Sequence, residues 1–71
     1  MERLLNDLKA HRTAAGLTQA QLAERIEVSR KTINTIENAV FVPSTVLALK
    51  LAAELGCTVE ALFMLDPGYG S

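Results

Sequence analysis

Cysteine, histidine and aromatic residues are nearly absent from this chain: one Cys, one His, two Phe, one Tyr and no Trp in 71 residues. A lone Cys57 cannot close an internal disulfide, and with His11 as the sole imidazole no metal-ligand set can be assembled, so neither metal nor cofactor is expected. With aromatics at 4% and hydrophobic residues at 49%, the core must be built from Leu, Ile, Val and Ala, the composition of a helical bundle. No apolar run approaches the roughly 20 residues that span a bilayer. The polar N-terminus does not resemble a secretory signal, and the cysteine usage suits a reducing cytoplasm, where the chain is expected to work. There is no glycine-rich phosphate loop and no nucleophile with an acid or base near it in sequence. A chain this short also cannot enclose a sizeable cleft, so neither an enzyme nor a small-molecule site is expected.

An excess of one charge is missing too, with 7 basic against 8 acidic residues. The distribution is uneven: residues 1–31 hold six basic and four acidic side chains, whereas residues 32–71 hold Lys50 against four acidic ones. One face can therefore meet phosphate, but the overall field is too weak for much non-specific attraction. Neutral contacts, helix N-termini and dimerisation would have to supply the remainder.

What is present is helical periodicity punctuated by caps. Leu4, Leu5, Leu8 and Arg12 share helical spacing, which predicts a first helix from about Glu2 to Ala15, stopped by Gly16. Thr18-Gln19-Ala20-Gln21 fits a capping box opening a second helix. Ser29 caps a third, carried to about Asn38 with Ile33 and Ile36 as its buried stripe. Pro43-Ser44 opens a fourth, Ser44 through Leu55, apolar around most of its circumference and so expected to be packed on several sides. Thr58 caps a short last helix carrying Val59, Leu62 and Phe63. Leu47, Leu51, Leu55, Val59 and Leu62 read as core, Cys57 as a small buried or half-buried apolar residue and His11 as a half-buried packing histidine. No alternation long enough for a sheet is evident. The predicted fold is all-α: a compact bundle of five helices over residues 1–65, with 66–71 a frayed tail.

Between Gln19 and Asn38 the apolar positions Leu22, Ala23, Ile26, Val28, Ile33 and Ile36 suit two short helices crossing at a tight turn. Ala23 is small where the second must approach the first. Arg30, Lys31, Asn34 and Thr35 are left on the outer side of a recognition helix spanning 29–38, long and polar enough to reach base edges in a major groove. Arg30 and Lys31 could be a merely solvated helix start, yet positive charge there opposes the helix dipole and suits an external anion.

Gly16-Leu17-Thr18-Gln19, Leu22-Ala23-Glu24, Val28-Ser29-Arg30-Lys31-Thr32-Ile33, Ile36-Glu37-Asn38 and Pro43-Ser44 together resemble the phage repressor/Cro-type (Xre) helix-turn-helix family, over about residues 4–65. The resemblance implies a lambda-repressor-like domain whose helix-turn-helix is formed by helices 2 and 3. It implies a small transcriptional regulator, a repressor in the simplest case, that binds duplex DNA at an inverted repeat as a homodimer. By position, Arg30, Lys31 and Thr35 match the family's base contacts. Gln19 matches a phosphate contact, and Ser29, Thr32, Asn34 and Asn38 are further candidates for the DNA backbone. Arg12 and Glu37 are implied as an internal ion pair.

Three departures stand out. Glu27 replaces the usual corner glycine, Ala39 replaces the glycine after Ile36-Glu37-Asn38, and the following loop, often basic in the family, reads Val40-Phe41-Val42. Val40, Phe41, Phe63, Met64 and Leu65 could fill the core, dock on another domain, or form a two-fold interface presenting two recognition helices roughly 34 Å apart. Two other readings stay open: a protein-interaction module such as an antitoxin-like partner, favoured by the acidic balance and the apolar loop, and the DNA-binding half of a longer effector-sensing regulator.

Overall fold

The chain runs β1 (Leu4–Asn6), α1 (Leu8–Ala14), α2 (Gln19–Arg25), α3 (Arg30–Glu37), α4 (Thr45–Leu55), α5 (Val59–Leu62) and β2 (Phe63–Leu65) in a computed structural model that describes residues 4–68. Each of the first four helices stops at a residue in the left-handed region, Gly16, Glu27, Ala39 and Gly56, with φ of 74°, 59°, 58° and 68°. The amide after each of these residues donates back to the last turn. Leu17, Val28, Val40 and Cys57 reach the carbonyls of Arg12, Ala23, Thr35 and Ala52 at 3.2, 2.9, 2.9 and 3.0 Å. This satisfies carbonyls that a helix end otherwise leaves open. In three corners the very next residue caps the following helix: Thr18, Ser29 and Thr58 accept the amides of Gln21, Thr32 and Ala61. At Thr18 the capping box is complete, the Gln21 side chain accepting the Thr18 amide at 2.9 Å. Ser44 caps α4 in the same way after a longer loop.

Two strands correct the all-α expectation. β1 and β2 pair antiparallel, with Leu4 opposite Leu65, Leu5 opposite Met64 and Asn6 opposite Phe63. The first helix accordingly starts at Leu8 and not near Glu2 (Glu2 itself lies outside the described residues). Asn6 makes the break: its side-chain oxygen accepts the Leu8 amide at 3.2 Å while its Nδ2 donates to the Ile36 carbonyl at 3.0 Å. Phe63 likewise leaves the last helix for β2 and is only 8% exposed, so of the places the sequence leaves open for it the core is the one it takes within this chain. Of the expected tail, residues 66–71, Tyr69, Gly70 and Ser71 lie outside the described residues. Among the described residues no helix is long and apolar enough to cross a membrane.

Leu8, Leu22, Ile33, Ile36, Leu51 and Leu62 are fully buried and join every α-helix to one core. Ala23, nearly inaccessible, lets α2 and α3 cross closely, with Ile26 buried and Val28 half-buried beside them. Helix α4 is less central than its composition predicts. Ala48, Leu51 and Ala52 face the core, but Val46 and Leu49 are 64% and 56% exposed, because one stripe of a helix is all that a core this small can cover.

Arg12, a buried cation, ties the helices together. Its Nη1 donates to the Leu17 carbonyl in the α1–α2 corner at 2.8 Å, and its Nε and Nη2 grip the two carboxylate oxygens of Glu37 at 2.6 and 3.3 Å. Both side chains of this pair are almost wholly inaccessible. Burial opposes ionisation of Glu37, but hydrogen bonds from Arg12 and Gln19, with the charges of Arg12 and Lys9, outweigh it and hold the carboxyl below its ordinary 4.5.

Two expectations follow from this architecture. A non-glycine residue in the left-handed region costs roughly 1–2 kcal/mol, and Glu27 and Ala39 are both exposed. Glu27→Gly and Ala39→Gly should each raise stability by about 1 kcal/mol once the extra entropy of glycine is counted, a gain of about 4–8 °C in Tm. Thermal unfolding checks this, and a lowered Tm would show that these corners are unstrained. Because the Glu37 carboxyl is depressed in the fold, its contribution is present above the ordinary carboxylate value and is lost as pH falls through the folded one. Urea unfolding from pH 7 to pH 3 should show wild type losing stability on acidification. Glu37→Gln should be weaker at pH 7 and flatter across the series.

Candidate nucleic-acid interface

Helix α3 is anchored from below by Ile33 and Ile36. At about 3.6 residues per turn this turns Arg30, Lys31, Asn34, Thr35 and Asn38 outward. Arg30, Lys31, Asn34 and Asn38 are exposed and Thr35 half-exposed. Ser29, the cap, sets where the helix begins and so places two cations side by side in its first turn. The side chain of neither Arg30 nor Lys31 makes a hydrogen bond or ion pair with any described residue. Two unpaired cations at the positive end of a helix raise each other's electrostatic cost, which an external anion would relieve.

Lys31 forms a ridge between two shallow depressions. Toward α2, Gln19, Arg30, Lys31 and Asn34 surround one of them. Toward the loop after α3, Ser29, Lys31, Thr32, Thr35, Val40 and Phe41 surround the other. Neither contains a carboxylate.

Gln19 is half-buried, and its Nε2 donates to Glu37 Oε1 at 3.0 Å. Since an ionised carboxylate only accepts, this bond fixes which way the amide points and leaves its oxygen and second N–H to face outward. The Arg12–Glu37 pair thus orients a side chain at the edge of the candidate interface as well as joining α1 to α3.

Several of the other sequence candidates are already hydrogen-bonded to one another. Ser29 Oγ and Thr32 Oγ1 are 2.9 Å apart, and the Thr35 hydroxyl donates to the Thr32 carbonyl at 2.9 Å. Asn38 Nδ2 lies 3.0 Å from the Asn34 carbonyl and 3.3 Å from Asn34 Oδ1, donating to both. Asn34 keeps its own Nδ2 hydrogens free for an external acceptor.

The five residues considered as core, docking or pairing surface differ in burial. Val40 and Phe41 lie against α3, Phe63 is in the core, Met64 is half-buried, and Leu65 is exposed on β2. Beside the exposed Val40, Phe41 and Leu65, other apolar side chains also stand at the surface: Val42, Val46 and Leu49 are exposed, and Leu49 with Leu4, Val59 and Phe63 borders an open apolar groove. Helical periodicity held the signal for this face, since Val46 and Leu49 stand off the stripe of Ala48, Leu51 and Ala52.

Comparison with known proteins agrees with this geometry. The family model for helix-turn-helix domains matches residues 8–62. The chain is 43% identical over 60 residues to an uncharacterized HTH-type transcriptional regulator of Methanothermobacter thermautotrophicus, covering 83% of this chain and 87% of that protein. It is 36% identical over 61 residues to the uncharacterized HTH-type transcriptional regulator YgzD of Bacillus subtilis, covering 86% and 92%. Among solved structures it resembles a candidate DNA-binding protein from Bacteroides fragilis, with TM-score 0.79 and 26% identity over 86% of this chain and 98% of that one. It also resembles the clp gene regulator ClgR from Corynebacterium glutamicum, with TM-score 0.70 and 29% identity over 73% of this chain and 55% of ClgR. With its α2–α3 corner, capped third helix and these relatives, the chain belongs to the Cro/C1-type helix-turn-helix family of transcriptional regulators.

Proposed function

We propose that this protein is a sequence-specific regulator that lays α3 in the major groove of duplex DNA. The observation carrying the proposal is the unpaired Arg30–Lys31 couple on the outer face of a helix whose inner face is fully buried. Arg30 and Lys31 each suit a guanine edge, donating to O6 and N7. Gln19 and Asn34, flanking them, retain donors suited to phosphate, and Ser29, Thr32 and Asn38 take at most secondary backbone contacts. Working on the chromosome, such a protein belongs in the cytoplasm, and blocking transcription is the simplest outcome of its binding.

The near-neutral charge supplies little non-specific affinity, so one copy with a single short helix would hold its site weakly. Two copies on an inverted repeat answer that need. The exposed Val42, Val46, Leu49 and Leu65 give the apolar surface such pairing requires. The same surface is what an antitoxin-like role would use for a different protein. Within a longer chain, as ClgR is, the unit would serve as the DNA-binding half.

Selection of binding sites from a randomised duplex pool at about physiological salt tests this reading. The expected result is an enriched inverted repeat containing guanine in each half. Arg30→Ala/Lys31→Ala should then lose about 100-fold or more in affinity for that site while keeping its helical circular dichroism. Unchanged binding by the double variant would remove α3 from the interface. Enrichment of an isolated half-site would withdraw the paired arrangement, and no enrichment even at low salt would overturn DNA binding itself.

A further inference from the structure

The depression on the loop side of Lys31 differs in chemistry from its neighbour. Its far wall is the segment following α3, where Val40 is 77% and Phe41 46% exposed. That wall is held in register with the helix: the amides of Val40 and Phe41 both donate to the Thr35 carbonyl, at 2.9 and 3.2 Å. An aromatic ring and a branched aliphatic side chain are thereby fixed beside Thr35 although neither is buried.

The hydroxyls on the helix wall are spoken for. Thr35 gives its proton to the Thr32 carbonyl, and Ser29 and Thr32 share a hydrogen bond in which one of them must donate. Two of the three hydroxyl protons are therefore committed within the protein. The walls offer mainly carbon: the threonine side chains, Val40 and the Phe41 ring. The charge at the rim is that of Lys31, with no carboxylate present. Lys31 also borders the depression shared by Gln19, Arg30 and Asn34, so a ligand lying against the paired cations extends across this groove as well.

An apolar hollow with a cationic rim, continuous with a face built for an anionic duplex, suits an apolar group carried by that duplex. In the major groove of DNA the apolar group on the base edges is the thymine 5-methyl. We propose that Thr35, Val40 and Phe41 form a thymine-methyl subsite that reads a T beside the base pair met by Lys31. This rests on the placement of α3 in the major groove. It gives the apolar Val40-Phe41 segment a part in specificity, and gives Thr35 a base contact made by carbon and not by its hydroxyl.

The test replaces each thymine of the selected site in turn by deoxyuridine, which removes the methyl alone, and measures affinity for wild type and Phe41→Ala. One position per half-site should weaken wild-type binding about fivefold on losing its methyl. Phe41→Ala should bind the dT and dU duplexes equally at that position while keeping its response to guanine changes elsewhere. Val40→Ala should show the same loss of methyl discrimination, more weakly. Exposure of both side chains leaves the fold out of the comparison, as circular dichroism would confirm. Indifference of wild type to every dT-to-dU change would overturn the subsite while leaving DNA binding intact. So would a Phe41→Ala variant that still prefers thymine, or one that keeps the preference but no longer self-associates, which would make the groove a contact between copies. Failure of wild type to bind any duplex would remove the DNA reading and the subsite together.

Discussion

The guanidinium of Arg12 determines how the helices that matter for function are held. Apolar packing through Ile33 and Ile36 sets how deeply α3 sits, but it constrains poorly the rotation of the helix about its own axis. Directional bonds supply that constraint. Arg12 grips both oxygens of Glu37 at the end of α3 and the Leu17 carbonyl in the corner before α2, and Glu37 in turn holds Gln19 at the start of α2. Asn6 adds a bond from β1 to the Ile36 carbonyl. The C-terminal half of α3 is thus fixed to three other elements, while its first turn, with Arg30 and Lys31, is left open to solvent. Breaking such a buried pair would strand a charge in the interior, so the geometry is enforced by the cost of any alternative.

The corners show where the fold departs from the least strained solution. The same closure recurs at four helix ends, and two of the four left-handed positions are glycine, as the geometry favours. The other two, Glu27 and Ala39, are those that bracket α3. Backbone strain gathered at both ends of one helix is a common property of functional segments, where the surrounding structure over-determines the conformation. Here the second strained corner delivers Val40 and Phe41 to the flank of α3. The exposed apolar loop that was hard to reconcile with a DNA-binding chain thereby becomes part of the face it adjoins.

Much of this was legible in the sequence because its signals are local. Thr18 with Gln21, Ser29, Ser44 and Thr58 mark helix starts through bonds spanning three residues, and Gly16 and Gly56 mark ends. The apolar stripe of α3 and the small Ala23 also reveal the crossing of α2 and α3. What escaped is non-local. Leu4 and Leu5 stand at helical spacing from Leu8, and only pairing with Phe63, Met64 and Leu65 at the far end of the chain turns them into a strand. The same pairing carries Phe63 into the core. The exposed side of α4 was hidden by composition, since a helix rich in Leu, Val and Ala looks central whether or not the domain has enough partners to surround it. At the interface, side-chain type identified polar residues but could not show that Ser29, Thr32 and Thr35 use hydrogen bonds among themselves, that Asn38 donates to Asn34, or that Gln19 is oriented by Glu37.

The central claim is that the face around Lys31, steadied by the Arg12–Glu37 pair, is where duplex DNA lies. Backbone amide chemical shifts measured by NMR during titration with a selected duplex test it most directly. The expected result is perturbation at Gln19, Arg30 to Thr35, Val40 and Phe41. Perturbation confined to Val46, Leu49 and α5, with α3 silent, would contradict it.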